Sequence, residues 1–117
     1  DFGELAKRCA PSVAEDTLRA IVKTESGFNP YAIGVVKGKV KQPRAYHEAM
    51  STIAELELSG ADYSVGLAQI NRKNFSKYGI SASQALDACT NLKVASRILS
   101  ACFTSAKQSP ASDFTMR

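Results

Sequence analysis

The segment spanning residues 21–30 constrains the fold most, because it ends a helix at a defined place. Apolar residues recur at helical spacing along residues 14–26. A glycine, an asparagine and a proline at positions 27, 29 and 30 then stop the helix. Glu25 is therefore predicted to lie in the last turn of a half-buried helix. The apolar face of this helix consists of Leu18, Ile21 and Val22.

A carboxylate at this end of a helix is in an unfavourable place. The helix C-terminus carries partial negative charge, which destabilises a nearby acid. Apolar neighbours favour the neutral carboxyl group over the charged one. Such a group can hold a proton and deliver it to a leaving oxygen, so Glu25 is a candidate general acid. An ordinary solvent-facing glutamate also explains the segment, and these residues alone leave both interpretations open.

The rest of the chain predicts a helix-dominated α+β domain over residues 1–106, followed by a loose polar tail at 107–117. Residues 33–42 carry β-branched residues around a Lys-Gly turn and predict a small β-hairpin. A capping box of Ser12 and Glu15 is predicted to begin the helix that carries Glu25. The other predicted helices are residues 3–9, residues 46–58 with Leu58 on the apolar face, a short helix within 71–79, a turn capped by Ser81 or Ser83, and a last helix from Asn91.

The composition limits the classes of function. The 117 residues suit one domain with one core, and 44% hydrophobic with 22% charged residues is ordinary for a globular protein. No apolar run approaches the length of a membrane span. The net charge of +4 includes a cluster at Lys37, Lys39, Lys41 and Arg44, which is either the solvated edge of the hairpin or a contact for a polyanion. Without tryptophan or alternating aromatic and basic residues, no nucleic-acid partner is expected.

Three cysteines, Cys9, Cys89 and Cys102, have no Cys-x-x-Cys spacing, so a zinc site is not expected. If residues 91–105 form one helix, Cys89 and Cys102 lie roughly 19 Å apart at a rise of about 1.5 Å per residue. A disulfide needs Cα atoms within about 7 Å. Any disulfide would therefore join Cys9 to one of the later two cysteines, and Cys102 is the slightly favoured partner.

A second feature is the apolar stretch 64–71, which contains Gly66 and ends in Gln69-Ile70-Asn71. A glycine allows a ligand to approach the backbone closely. Two amide side chains two residues apart in an extended segment can point the same way and bind acetamido and hydroxyl groups of a sugar. An ordinary buried strand or turn with polar ends is the alternative.

The two features together resemble the soluble-type lytic transglycosylases, a lysozyme-like family. The resemblance rests on Glu-Ser-Gly-Phe-Asn-Pro at 25–30 and Gly-Leu-Ala-Gln-Ile-Asn at 66–71. Further similarity at residues 9–13, at 29–34 and at Asn91-Leu92 is to the specialised transglycosylases of type IV secretion systems. Ala68 stands where the family usually has Met, Gly34-Val35 stands where many members have Ser or Asn, and nothing after Cys102 matches the family's Tyr-Asn motif.

The resemblance implies a lysozyme-like domain in which Glu25 is the only catalytic acid and base. The substrate would be the peptidoglycan bond between N-acetylmuramic acid and N-acetylglucosamine, and the product a 1,6-anhydro sugar. Gln69 and Asn71 would hold the glycan. Ser64, Tyr63 and Ser26 are further candidates for substrate contact, with Tyr63 as a cleft wall and Ser26 orienting the helix end.

The same resemblance implies no metal and no cofactor. It also implies an exported, periplasmic monomer that works with other secretion-system proteins. Two alternatives remain. One is a lysozyme-type hydrolase that uses Glu25 with a second acid, for which Asp62 is preferred over Asp87. The other is a glycan-binding module without catalysis.

Overall fold

The computed structural model describes residues 1–106, and the side chains of residues 1–104, as a helix-dominated domain with a small sheet. This confirms the predicted α+β class; the predicted polar tail at 107–117 lies outside the described residues. The helices are α1 (Phe2–Cys9), α2 (Glu15–Ser26), α3 (Tyr46–Ser59), α4 (Lys73–Lys77), α5 (Ala82–Ala85) and α6 (Ala88–Ala106), and the strands are β1 (Ile33–Val35), β2 (Tyr63–Val65) and β3 (Ile70–Asn71).

The three strands form one antiparallel sheet in the order β1-β2-β3. The predicted hairpin within residues 33–42 is wrong, because β1 pairs with β2. A return strand over residues 39–42 could bury only Val40, whereas all three residues of β2 are buried. The side chain of Gln42 takes the place of a partner strand: its Nε2 donates to the Ile33 carbonyl (2.8 Å) and its Oε1 accepts from the Ile33 N–H (3.0 Å).

The sheet has an apolar face and a polar face. Ile33, Val65 and Ile70 are aligned by the strand register and are fully buried in the core. Since side chains alternate along a strand, Gly34, Ser64 and Asn71 lie on the opposite face. We call this the polar face. It carries the side chains of Ser64 and Asn71.

Two local predictions about the helices are wrong. Ala14 occupies the N-cap of α2 and no side chain caps this helix, so the box of Ser12 and Glu15 does not form. In α3, Ala49 and Ile53 are buried but Leu58 is 90% exposed, because the last turn before Gly60 extends beyond the core. The predicted cap at Ser81 is confirmed, with a reciprocal hydrogen bond to Gln84. Among the described helices, none is long and apolar enough to cross a bilayer.

A disulfide joins Cys9 at the end of α1 to Cys89 in the first turn of α6, with Cα atoms 5.2 Å apart. The preference for Cys102 as the partner of Cys9 is therefore wrong. Helix α6 begins at Ala88 and not at the predicted Asn91, and its first turn brings Cys89 beside α1. Cys102 lies roughly 19 Å further along the same helix.

Removing this disulfide is expected to cost roughly 4 kcal/mol of unfolding free energy, because it closes a loop with a sequence separation of 80. The paired substitution Cys9→Ala/Cys89→Ala should show this loss in urea unfolding. The control, Cys102→Ser, should leave the midpoint nearly unchanged. A large loss in the control with none in the paired variant would show that a different disulfide forms.

Candidate functional site

Glu25 lies in the last turn of α2, as the sequence predicts. The helix ends at Gly27, whose left-handed conformation (φ 59°) lets its N–H donate to the Lys23 carbonyl (3.1 Å). The following residue, Phe28, also has positive φ (66°), so the chain turns away sharply. The Glu25 side chain is half-buried, and its Oε1 atom has almost no contact with solvent.

The packing of α2 fixes the direction in which Glu25 points. Ile21, one helical turn earlier, packs against the cluster that contains Ala68 and Ile70. Residues four apart share one face of a helix. Glu25 therefore extends the face of α2 that contacts the connection between β2 and β3.

This connection, residues 66–69, is a tight turn. Two residues with positive φ make it possible, Gly66 (83°) and Gln69 (54°). The Gly66 N–H donates to the Ala32 carbonyl (2.9 Å). Gln69, which is buried, donates from Nε2 to the carbonyls of Ala32 (2.9 Å) and Gly66 (3.0 Å). The turn is thereby bound to the segment that leads from Glu25 into β1.

The predicted common direction of Gln69 and Asn71 is wrong. Gln69 has a left-handed backbone within the turn, so residues 69–71 are not an extended segment. Its amide meets backbone carbonyls, whereas the Asn71 amide donates to Asp62 Oδ1 (2.8 Å) and Ser64 Oγ (3.3 Å) on the polar face. The two amides therefore have different surroundings.

Asn91 of α6 has a structural role that sequence reasoning missed. It is fully buried, and its Oδ1 accepts from the Ala68 N–H (2.9 Å). Its Nδ2 donates to the carbonyls of Val65 (3.0 Å) and Ala85 (2.8 Å). The sequence placed Asn91 at a helix start, but a polar residue within an apolar helical pattern was a signal that it satisfies buried backbone groups.

The polar face gathers three of the groups that the sequence singled out. Ser64 and Asn71 are paired across β2 and β3, and exposed Asp62 accepts from the Asn71 amide. The amide oxygen of Asn71 is also bonded, since Oδ1 accepts a hydrogen bond from the Lys73 N–H (3.1 Å). A small cavity of about 50 Å³ beside Ser64 is lined by Gly34, Val35 and Val36.

Tyr63 lies on the other face of the sheet, with its ring packed against Phe75 at 6.3 Å between centroids. Its hydroxyl donates to Glu57 Oε2 of α3 (2.6 Å). Burial, and then this bond to a carboxylate, raise the pKa of Tyr63 well above its ordinary value. The same hydroxyl, together with Arg72, lowers the pKa of Glu57. Tyr63 and Ser64, which were both predicted to contact the substrate, therefore lie on opposite faces of the sheet.

Ser26 is also engaged within its own helix, since its Oγ donates to the Val22 carbonyl (3.0 Å). This bond holds the Ser26 hydroxyl against its own helix. Within residues 1–106, no group of three His, Cys, Asp or Glu side chains is arranged to hold a metal ion.

The chain is similar to a described family and to several known proteins. Residues 4–112 match the family described as the transglycosylase SLT domain. The type IV secretion system protein virB1 of Brucella abortus is 53% identical over 103 residues, which cover 87% of this chain and 43% of that relative. The protein virB1 of Rhizobium radiobacter is 38% identical over 100 residues, covering 85% and 42%. The chain spans about two fifths of the length of these curated relatives. No solved structure matches.

Gly66→Ala is expected to destabilise the domain more than Gly60→Ala, although both glycines have positive φ (83° and 71°). A Cβ on Gly66 would overlap Nδ2 of Asn91, whereas a Cβ on Gly60 meets nothing within 4 Å. We expect a loss of about 1 kcal/mol for Gly60→Ala from the backbone alone, and at least about 3 kcal/mol for Gly66→Ala. Chemical unfolding measures both, and equal losses would contradict the close packing of Asn91 on the turn.

Proposed function

Because this chain belongs to the family of transglycosylase SLT domains, we propose that it cleaves the glycan strands of peptidoglycan as a lytic transglycosylase. The observation that carries the proposal is the position of Glu25: an acid with one buried oxygen, at the end of a helix whose face contacts the turn 66–69. That turn and the adjoining polar face offer neutral hydrogen-bonding groups that suit a sugar.

The proposed first step breaks the bond between N-acetylmuramic acid and N-acetylglucosamine. Glu25 donates its proton to the glycosidic oxygen, which leaves with the bonding electrons. The acetamido oxygen of the same N-acetylmuramic acid forms a bond to the anomeric carbon in place of the leaving group. The substrate itself therefore supplies the nucleophile that a second carboxylate supplies in most retaining glycosidases.

In the second step, Glu25 is a carboxylate and acts as the base. It takes the proton from the C6 hydroxyl of N-acetylmuramic acid, whose oxygen then attacks the anomeric carbon and displaces the acetamido oxygen. The product carries a 1,6-anhydro ring, no water is consumed, and Glu25 regains its proton. One acid is sufficient for both proton transfers.

The structure supports different roles for the predicted binding residues. Ser64 and Asn71 lie on the polar face, and we propose that they contact the glycan directly. Gln69 donates to two backbone carbonyls and Tyr63 donates to Glu57, so we propose that both hold the frame of the site. Ser26 supports the helix end that carries Glu25.

We also propose that the domain acts in the periplasm, as a monomer, and opens the cell wall locally for assembly of a secretion system. Two observations support this. One relative named above, from Brucella abortus, is the type IV secretion system protein virB1. The Cys9–Cys89 disulfide requires an oxidising compartment, and the periplasm is one.

Glu25→Gln is expected to lower the rate of murein cleavage by at least about 100-fold, because an amide can neither deliver nor take up the proton. The melting temperature should stay within a few degrees of the wild type. The measurement is mass spectrometry of fragments released from purified murein, in which 1,6-anhydro ends identify the product. Glu55→Gln, at an exposed glutamate of α3, is the matched control and should retain full activity.

Asp62→Asn separates this mechanism from that of a two-carboxylate hydrolase. A single-acid enzyme keeps most of its activity in this variant and still releases anhydro ends. Loss of activity in Asp62→Asn, together with reducing ends from the wild type, would identify a hydrolase. Unchanged cleavage in Glu25→Gln would overturn both mechanisms.

A further inference from the structure

The whole net charge of the protein resides in one loop. We call residues 36–44, between β1 and α3, the basic loop; they contain Lys37, Lys39, Lys41 and Arg44 and no acid. The chain has 15 basic and 11 acidic residues, so the remaining residues contain eleven of each. The positive charge is thus a local feature of this loop.

Hydrogen bonds tie the basic loop to the elements of the functional site. Gln42 makes two bonds to the backbone of Ile33, next to Gly34 of the polar face. Asn29, in the segment after α2, donates from Nδ2 to the carbonyl of buried Pro43 (3.1 Å). The Val36 N–H donates to the Asp62 carbonyl (3.1 Å) at the edge of β2. The loop is therefore held beside the polar face.

The charged side chains themselves point into solvent. All four basic residues are exposed, and none forms an ion pair within the described residues 1–106. One explanation of the alternating lysines was the solvated edge of a hairpin. Because β1 pairs with β2 and no such hairpin forms, this explanation does not hold. The arrangement leaves four cations available to an anionic ligand at the border of the site.

We propose that the basic loop binds carboxylates of the peptides attached to peptidoglycan strands, so that the domain prefers strands that carry peptides. This inference rests on the proposed function. The hydroxyls and acetamido groups of the glycan are neutral and suit the amide and hydroxyl groups of the polar face. The carboxylates of the attached peptides are the complementary partners for the lysines. Flexible lysine side chains suit carboxylates whose positions vary from one peptide to the next.

The test compares two substrates: purified glycan strands with their peptides, and the same strands after an amidase has removed the peptides and the lactyl carboxylates that this exposes have been converted to neutral amides. In the variant Lys37→Gln/Lys39→Gln/Lys41→Gln, KM for peptide-bearing strands should rise about tenfold, because exposed ion pairs are individually weak but three are lost together. The value of kcat should not change, since the loop does not touch the reacting atoms. Both constants for peptide-free strands should equal those of the wild type.

A matched control changes the net charge equally at exposed lysines elsewhere, Lys7→Gln/Lys77→Gln/Lys93→Gln. This variant should keep the wild-type KM for both substrates, which would show that position and not total charge matters. Raising the salt concentration well above about 0.15 M should weaken the preference of the wild type for peptide-bearing strands, because the screening length falls.

The inference is overturned if the loop variant and the wild type have the same KM for peptide-bearing strands, or if KM rises equally for both substrates. Loss of binding to phosphatidylglycerol vesicles in the loop variant, with KM unchanged, would also overturn it and assign the loop to a membrane surface. A wild-type protein that cleaves neither substrate would overturn the proposed function. Equal cleavage of both substrates by every variant would overturn only the role of the loop.

Discussion

The site depends on the hydrogen bonds of Asn91. Its amide satisfies three buried backbone groups, at Val65, Ala68 and Ala85, which belong to β2, to the turn 66–69 and to α5. Each such group would cost about 1–3 kcal/mol if it were left without a partner. The close approach of Asn91 leaves room only for a glycine at position 66. One side chain thus determines both the conformation of the turn and the residue that the turn can contain.

The sequence predicted those features that depend on neighbours along the chain. The end of α2 at Gly27, and hence the position of Glu25, follows from helix-stop residues within a few positions of it. The hairpin at 33–42 was predicted wrongly because the true partner of β1 is β2, which is separated from it by the whole of α3. The partner of Cys9 was chosen wrongly because helix spacing excluded only a Cys89–Cys102 bond and gave no information on which of the two cysteines lies beside α1.

The roles of the site residues depend on more distant partners. A motif of alternating amides predicted that Gln69 contacts a sugar. In the structure, the Gln69 amide donates a hydrogen bond to the carbonyl of Ala32, which lies 37 positions earlier in the chain. Tyr63 and Ser64 are adjacent in sequence and lie on opposite faces of the sheet, so one meets Glu57 and the other Asn71. Residue type and spacing predicted which segment would carry the polar side chains, whereas the direction of each side chain required the register of the sheet.

Helix α1 connects the two helices on which this arrangement depends. The disulfide at Cys9 binds it to the start of α6, two residues before Asn91. At its other end, Phe2 packs edge-to-face on Phe28, just after Glu25, and Arg19 of α2 lies over the Phe2 ring at 5.1 Å. Helix α1 therefore holds together the helices that carry Asn91 and Glu25. It is bound to α6 by a covalent bond and to α2 by aromatic contacts. Because only the link to α6 is covalent, reduction of the disulfide should loosen α6 against α1 before it disturbs the end of α2 that carries the proposed catalytic acid, Glu25.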